Sequence, residues 1–372
     1  MQSRISSRER TFYLDVARAF AIFSITCNHA VNRAYDNYDH QQAEFQAYSL
    51  FSSILKAGVS VFSRLGVPIF LMITGTLLLN HCFDEQHNLK RFYRHNILRL
   101  LLTVEIWYLI MFWFIVLFDP TNTTLETKGI GGTLIQLLRT LLFQDQVTLG
   151  SMWYMPMILC LYTTIPLVAV AKEKLPTWAL CIPLGLVFVN NMLLPAYNDF
   201  QAFRGGASLT SALKESNLCS KYYLYVFAGF LISSGVLRKL KSWPVALGAG
   251  GTFLLCCAYQ LYAYSKPQNY LVSYDFPGIL ICAVFLFELF RRFSERLRPL
   301  RSGITYLSKI SFGIYFVHIV IMESLNWYAD WSLRPAVWMA VLEIVSFGGS
   351  ILVIWLLAKI PACKKYLFMI KD

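Results

Sequence analysis

The feature that most limits this chain is repetitive: about ten apolar runs, divided by short polar, Pro/Gly or charged breaks. Roughly 20 apolar residues coiled into a helix cross the hydrocarbon of a bilayer. Inside that hydrocarbon the backbone must satisfy its own hydrogen bonds, which a helix does. The predicted fold class is therefore all-α: a polytopic integral membrane protein with about ten transmembrane helices. The expected spans are 12–31, 65–80, 98–118, 152–171, 177–194, 221–237, 244–263, 276–291, 305–323 and 336–358. Residues 51–64 and 134–143 are mixed and amphipathic, and are expected at the membrane interface. Only 15% of the 372 residues are charged, against about 25% in a soluble domain. A soluble enzyme, a disordered chain and a secreted disulfide scaffold are excluded. No stretch is left for a separate soluble domain, so 1–372 is read as a single membrane domain.

The net charge of +12 would suggest nucleic acid in a soluble protein. In a membrane protein it points first to cytoplasmic loops, which collect Lys and Arg. With the N-terminus in the cytoplasm, the cytoplasmic segments hold 21 of the 33 Lys and Arg, and the opposite side ten. That bias predicts an N-in, C-in topology with the lipid bilayer, not nucleic acid, as partner. The first run carries Asp15 and Arg18, and no small-x-small site follows it, so it is expected to be a retained helix and not a cleaved leader. The nine Cys include Cys219 and are scattered, with no Cys-x-x-Cys pair. They are read as small buried hydrophobes. There is no Walker loop, dinucleotide fingerprint or His-Glu-x-x-His motif. No metal and no permanently bound cofactor is expected.

Charge within a bilayer is costly and usually functional. The first run is the densest: Asp15, Arg18 and His29 in YLDVARAFAIFSITCNHAV. Eleven residues separate Arg18 from His29, which is about 20° beyond three full turns and about 16 Å along the axis. The two share a face, and Asp15 can pair with Arg18 one turn away. The plainer alternative is an Arg18 that snorkels to the headgroups and an interfacial His29. An imidazole titrates near neutral pH, as a general base must. Tyr315 and His318 share a face further on, as a functional or simply interhelical pair. Glu105 and Glu343 need partners within apolar runs. Arg64 is an anchor on the external side. Arg91, Arg94 and Arg99 are either positive-inside charge or a phosphate-recognising set, since Arg grips phosphate in a bidentate fork. Trp153 and Tyr154 suit an aromatic belt.

Four blocks, in order and spacing, resemble the membrane acyltransferase family 3. They are Leu14-Asp15, Arg18 and His29; Arg64-Leu-Gly-Val-Pro68-Ile-Phe70 through Thr74-Gly75; Met152-Trp153-Tyr154 followed by Tyr162 and Pro166; and Ser311-Phe-Gly313-Ile-Tyr315-Phe-Val-His318. Thr74 stands where the family usually has Ser, and Arg91-Phe-Tyr-Arg94 has the family's basic Arg-x-x-Arg spacing. The chain is most similar to the shorter members without an appended soluble domain, of the enterobacterial-common-antigen O-acetyltransferase type. The resemblance implies one membrane acyltransferase domain, with its motifs between about 12 and 358, in a bacterial plasma membrane. It implies O-acetyltransfer from cytoplasmic acetyl-CoA, or another acyl-CoA, to a hydroxyl of a cell-surface or lipid-linked saccharide, a polysaccharide modification. It further implies His29 as base, Asp15 as the orienting carboxylate, and Arg18, Arg91, Arg94 and Arg99 on the donor. Arg64, Thr74, Trp153, Tyr154, Tyr315 and His318 would line the pocket. A secondary transporter or flippase for a glycan or lipid precursor is the alternative. The absence of a strong internal repeat weighs against it, as do the Arg-to-His spacing and the Ser-x-Gly-Ile-Tyr-x-x-His block.

Overall fold

The computed structural model describes residues 7–35, 40–145, 152–211, 213, 220–329 and 333–370. Cys219 lies outside them. In chain order the helices are α1 (Ser7–Ala34), α2 (Gln41–Ala47), α3 (Leu50–Ser63), α4 (Gly66–Leu78) and α5 (Gln86–Phe92). Next come α6 (Leu98–Phe118), α7 (Thr124–Leu141), α8 (Tyr154–Lys174), α9 (Thr177–Phe188) and α10 (Leu194–Arg204). The last five are α11 (Tyr222–Ser233), α12 (Ser242–Tyr264), α13 (Pro277–Phe293), α14 (Arg301–Tyr328) and α15 (Pro335–Leu357). There is no strand among the described residues. Pro starts α13 and α15, where its missing N–H costs nothing. Gly205, at φ 70°, closes α10 in the left-handed conformation. π-helical turns join α5 to α6 and α9 to α10.

Each of the ten expected spans falls on a helix, and seven stretches are long and apolar enough to cross a membrane. The two numbers differ for physical reasons. α1 is long enough, but Asp15, Arg18, Asn28 and His29 lower its apolarity. α11 has only 12 residues. Pro277–Tyr328 forms one apolar stretch, because a 3-10 turn (Ser294–Leu300) joins α13 to α14. The protein is a multi-pass membrane protein built of helices.

The chain divides into two compact units, Met1–His81 with Ala171–Ser308, and Cys82–Val170 with Lys309–Asp372. In the first, α1 packs on α3, α4 and α13, α4 crosses α11, and α12 lies on α3 and α13. Small residues set the closest crossing. A Cβ on Gly75 would stand 1.8 Å from the Val226 carbonyl oxygen, and one on Gly229 would stand 2.0 Å from that of Met72. Such close backbone approach is how helices bind one another in lipid. The buried Glu288 accepts Arg291 at 2.6 and 2.7 Å and Arg292 at 2.5 Å. Arg292 also donates to the Leu237 and Leu240 carbonyls, tying the α11–α12 turn to the end of α13. In the second unit α6 packs on α7 and on the C-terminal segment. Trp107 stacks on Phe316 at 4.8 Å and donates to the Leu367 carbonyl at 2.9 Å.

One sequence expectation is extended and one is corrected. Residues 51–64 are amphipathic as expected, and α3 turns its polar face inward. Ser53, Lys56, Ser60 and Ser63 are buried, while Leu50, Phe51 and Ile54 are exposed. The polar face finds protein partners, which leaves the apolar face for lipid. α7 repeats this, with Thr133 and Thr140 buried and Ile130, Leu134 and Leu138 exposed. The cysteines are not uniformly buried either. Cys27, Cys256 and Cys282 are, but Cys160 and Cys181 are exposed on apolar helices and Cys82 lies beside Asp84 in a turn.

Candidate functional site

In the first unit α1 carries Asp15, Arg18 and His29. Asp15 holds Arg18 with Oδ1 3.6 Å from Nη1. The same carboxylate accepts from Ser308 Oγ at 2.6 Å and Thr305 Oγ1 at 3.3 Å. Thr305 and Ser308 lie one turn apart, so one face of α14 supplies both hydroxyls. Each of these bonds leaves fewer orientations open to the carboxylate, and through it to Arg18. Arg18 keeps 30% of its side chain exposed. At the start of the same helix the Arg301 guanidinium lies 5.1 Å from the Phe12 ring centroid.

Toward the other end of α1 the surroundings close. His29 is only 7% exposed. Its carbonyl accepts from Arg33 at 3.4 Å. The neighbouring Asn28 accepts from Ser63 Oγ at 3.2 Å, and Ser24 donates to the Phe62 carbonyl at 2.9 Å. These bonds stitch α1 to α3 along its polar face. The same face carries Lys56, whose Nζ is 2.5 Å from Glu44 Oε2 and 4.5 Å from the Tyr264 ring centroid. Tyr35, just past α1, meets Ser52 at 3.3 Å, and burial pushes its phenol up. Gly66 begins α4 where a Cβ would stand 2.6 Å from the Ala21 carbonyl oxygen, so α4 lies tight on α1.

Arg64 closes α3 beside Ser63, with its guanidinium 5.5 Å from the Tyr274 ring centroid. Thr74 is buried and donates to the Phe70 carbonyl at 3.1 Å, back along its own helix. The structure thus groups Asp15 and Arg18 with two hydroxyls, and brings Arg64 next to the segment that holds Asn28.

The second unit holds the other expected site residues. Trp153 and Tyr154 begin an aromatic row: Trp153–Tyr154 at 6.1 Å, Tyr154–Tyr315 at 5.9 Å and Tyr315–His318 at 6.4 Å between centroids. His318 is fully buried, with Nδ1 2.7 Å from the Ile314 carbonyl oxygen. Tyr108 donates to the Met152 carbonyl at 3.4 Å, fixing the start of that row. A Cβ at Gly313 would meet the Ile354 and Phe368 side chains at 2.9 Å, so both pack close against the helix two residues before Tyr315.

Arg91 and Arg94 line one cavity of about 340 Å³ together with His87, Lys90 and His95. Among the described residues no carboxylate lines it, so it suits an anion. Arg99 is not among its residues; it donates to the Lys365 carbonyl at 3.1 Å and anchors the C-terminal segment. Thr305, Ser308, Asn28, Ser63, His87, Lys90 and His95 were not anticipated as site neighbours. The sequence shows hydroxyls one turn apart at the head of an apolar helix, Ser302, Thr305 and Ser308, without marking which two meet Asp15.

A family model described as an acyltransferase domain, acyltransferase 3, matches residues 11–359, nearly the whole chain. No curated protein and no solved structure matches.

Proposed function

The chain belongs to the acyltransferase 3 family, and from that premise we propose that it moves an acetyl group from cytoplasmic acetyl-CoA to a hydroxyl of a cell-surface or lipid-linked saccharide. In this reading the chain is one membrane domain crossing a bacterial plasma membrane ten times, with both termini in the cytoplasm. The Lys and Arg bias between the two sides supports that orientation.

The observation that carries the reading is the asymmetry of α1. Near one end a carboxylate held by two hydroxyls orients a partly exposed guanidinium. Eleven residues on, about 16 Å along the axis, stands a buried imidazole. Arg18 grips donor phosphate, and the long thin pantetheine arm extends along the helix toward His29. The His29 imidazole removes the acceptor hydroxyl proton. The alkoxide forms a bond to the thioester carbonyl carbon, and the tetrahedral oxyanion collapses as the carbon–sulfur bond breaks. The departing thiolate takes the proton back from the imidazolium, so charge and protons balance. In the second unit Arg91 and Arg94 offer a cationic cavity to a phosphate, and Arg99 anchors the C-terminal segment there. Arg64 and Thr74 in the first unit, and Trp153, Tyr154, Tyr315 and His318 in the second, are the remaining residues that the reading assigns to substrate contact.

The test is acetyl-CoA binding to purified protein, wild type beside Arg18→Ala and His29→Ala. Binding that is weakened by the first change and survives the second, with transfer lost in both, supports the reading. No binding of any coenzyme A ester removes it and favours a transporter of glycan or lipid precursors.

A further inference from the structure

A cavity at the α8–α9 turn has no part in that chemistry. It measures about 330 Å³, within the range of small-ligand pockets. Lys172 and Glu173 stand at its rim, and Leu180, Leu184, Phe227 and Leu231 form its walls. Its place in the chain sets its depth. One candidate membrane helix ends at Lys174 and the next begins at Thr177, so the rim is at the level of the headgroups. Leu184 lies seven residues into α9, about 10 Å deeper into hydrocarbon. α11, which supplies the facing wall, has 12 residues. That is about 18 Å of rise against roughly 30 Å of hydrocarbon, so α11 by itself does not span the depth here.

The rim is charged in an unusual way. Lys172 and Glu173 are neighbours on a helix, so their side chains diverge by about 100° and do not face each other. Neither takes part in an ion pair among the described residues. The Lys172 ammonium rests 5.0 Å from the Phe230 ring centroid, which holds it over the cavity. One cation and one anion are thus offered side by side above an apolar slot.

We propose that this cavity binds one bilayer phospholipid with a zwitterionic, amine-bearing headgroup of the phosphatidylethanolamine class. The phosphate meets Lys172, the primary ammonium donates to Glu173, and an acyl chain lies against Leu180, Leu184, Phe227 and Leu231. Phosphatidylglycerol offers the phosphate without the ammonium. Phosphatidylcholine has the positive charge but no N–H to donate, and charge-assisted hydrogen bonds are the stronger contacts. The site is independent of the acyl-transfer reading.

The experiment is lipid retention by the purified full chain, read by native mass spectrometry. Phosphatidylethanolamine, phosphatidylglycerol and phosphatidylcholine with identical acyl chains are compared. Wild type is expected to favour the first about fivefold, the equivalent of one good polar contact. Lys172→Met loses retention of all three. Glu173→Gln holds phosphatidylglycerol as well as phosphatidylethanolamine. Leu184→Trp fills the slot without touching the charges and lowers retention as well, which guards against a fold defect at the rim. Cys181 also lines the cavity, so phosphatidylethanolamine is expected to slow its alkylation, scored at peptide level, relative to Cys160. Equal retention of the three lipids by wild type overturns the proposal. So does Lys172→Met retaining lipid like wild type, or retention without protection of Cys181.

Discussion

Ser308 donates a 2.6 Å hydrogen bond to the Asp15 carboxylate, joining residues 293 positions apart in the chain. The carboxylate that receives it also holds Arg18. A hydrogen bond to a charged group contributes about 1.5–3 kcal/mol, and more when its loss leaves the charge under-satisfied. Ser308→Ala is therefore expected to loosen Arg18 without removing it. The acetyl-CoA dissociation constant should rise about tenfold, while KM for the acceptor stays where it was. An isothermal titration that shows unchanged donor affinity would detach Asp15 and Ser308 from donor binding.

Arg18→Lys tests the same corner from the other side. A lysine keeps the charge but has one compact ammonium in place of a planar fork. It cannot hold Asp15 and a phosphate together in fixed directions. Donor binding in Arg18→Lys should fall nearly as far as in Arg18→Ala. Near-wild-type binding by the lysine variant would mean that charge alone matters there.

The α4–α11 crossing gives a prediction about folding. A methyl at Gly75 or Gly229 would overlap the backbone carbonyl of Val226 or Met72, and backbone cannot step aside as a side-chain tip can. Gly229→Ala is expected to lower the melting temperature in detergent steeply or to prevent accumulation in the membrane. Gly250 is in α12 with nothing within 4 Å of its would-be Cβ. Gly250→Ala should be neutral or slightly stabilising, since Ala suits a helix better than Gly. Equal melting temperatures for the two variants would show that the crossing relaxes.

Much of this architecture was legible in the chain. Apolar runs of bilayer length mark α6, α8, α12 and α15 almost to their ends. The first helix was legible as a site because Asp15, Arg18 and His29 break an otherwise apolar run at helical spacing. What could not be read was which long-range partner each polar group takes. Nothing in the sequence distinguishes Ser308 from Ser302 as the residue that meets Asp15, because that choice depends on how two helices pack. The three arginines after the second span looked alike. Only the fold separates Arg91 and Arg94, in a cationic cavity, from Arg99, bound to the Lys365 carbonyl. The inward face of α3 is hidden for a related reason. Its polar stripe has the period of a surface helix, and periodicity does not say whether the polar face meets water or protein.

Lys56 is the sharpest case, and it yields the last prediction. Counted by position it belongs to an external polar segment, yet the residue is 2% exposed. Its ammonium sits 2.5 Å from Glu44 and over the Tyr264 and Tyr35 rings. Removing two charges from water costs several kcal/mol per ion, which their attraction returns only when both are present. Lys56→Met alone leaves the Glu44 carboxylate stranded, and Glu44→Gln alone strands the ammonium. Each single change is expected to cost about 3–5 kcal/mol, seen as a large drop in melting temperature. Lys56→Met combined with Glu44→Leu removes both charges and should recover most of that loss. The recovery is the decisive quantity, because residues in direct contact do not add independently. A double variant as unstable as the sum of the singles would mean that the two side chains hold α2 and α3 through their separate contacts and not through each other.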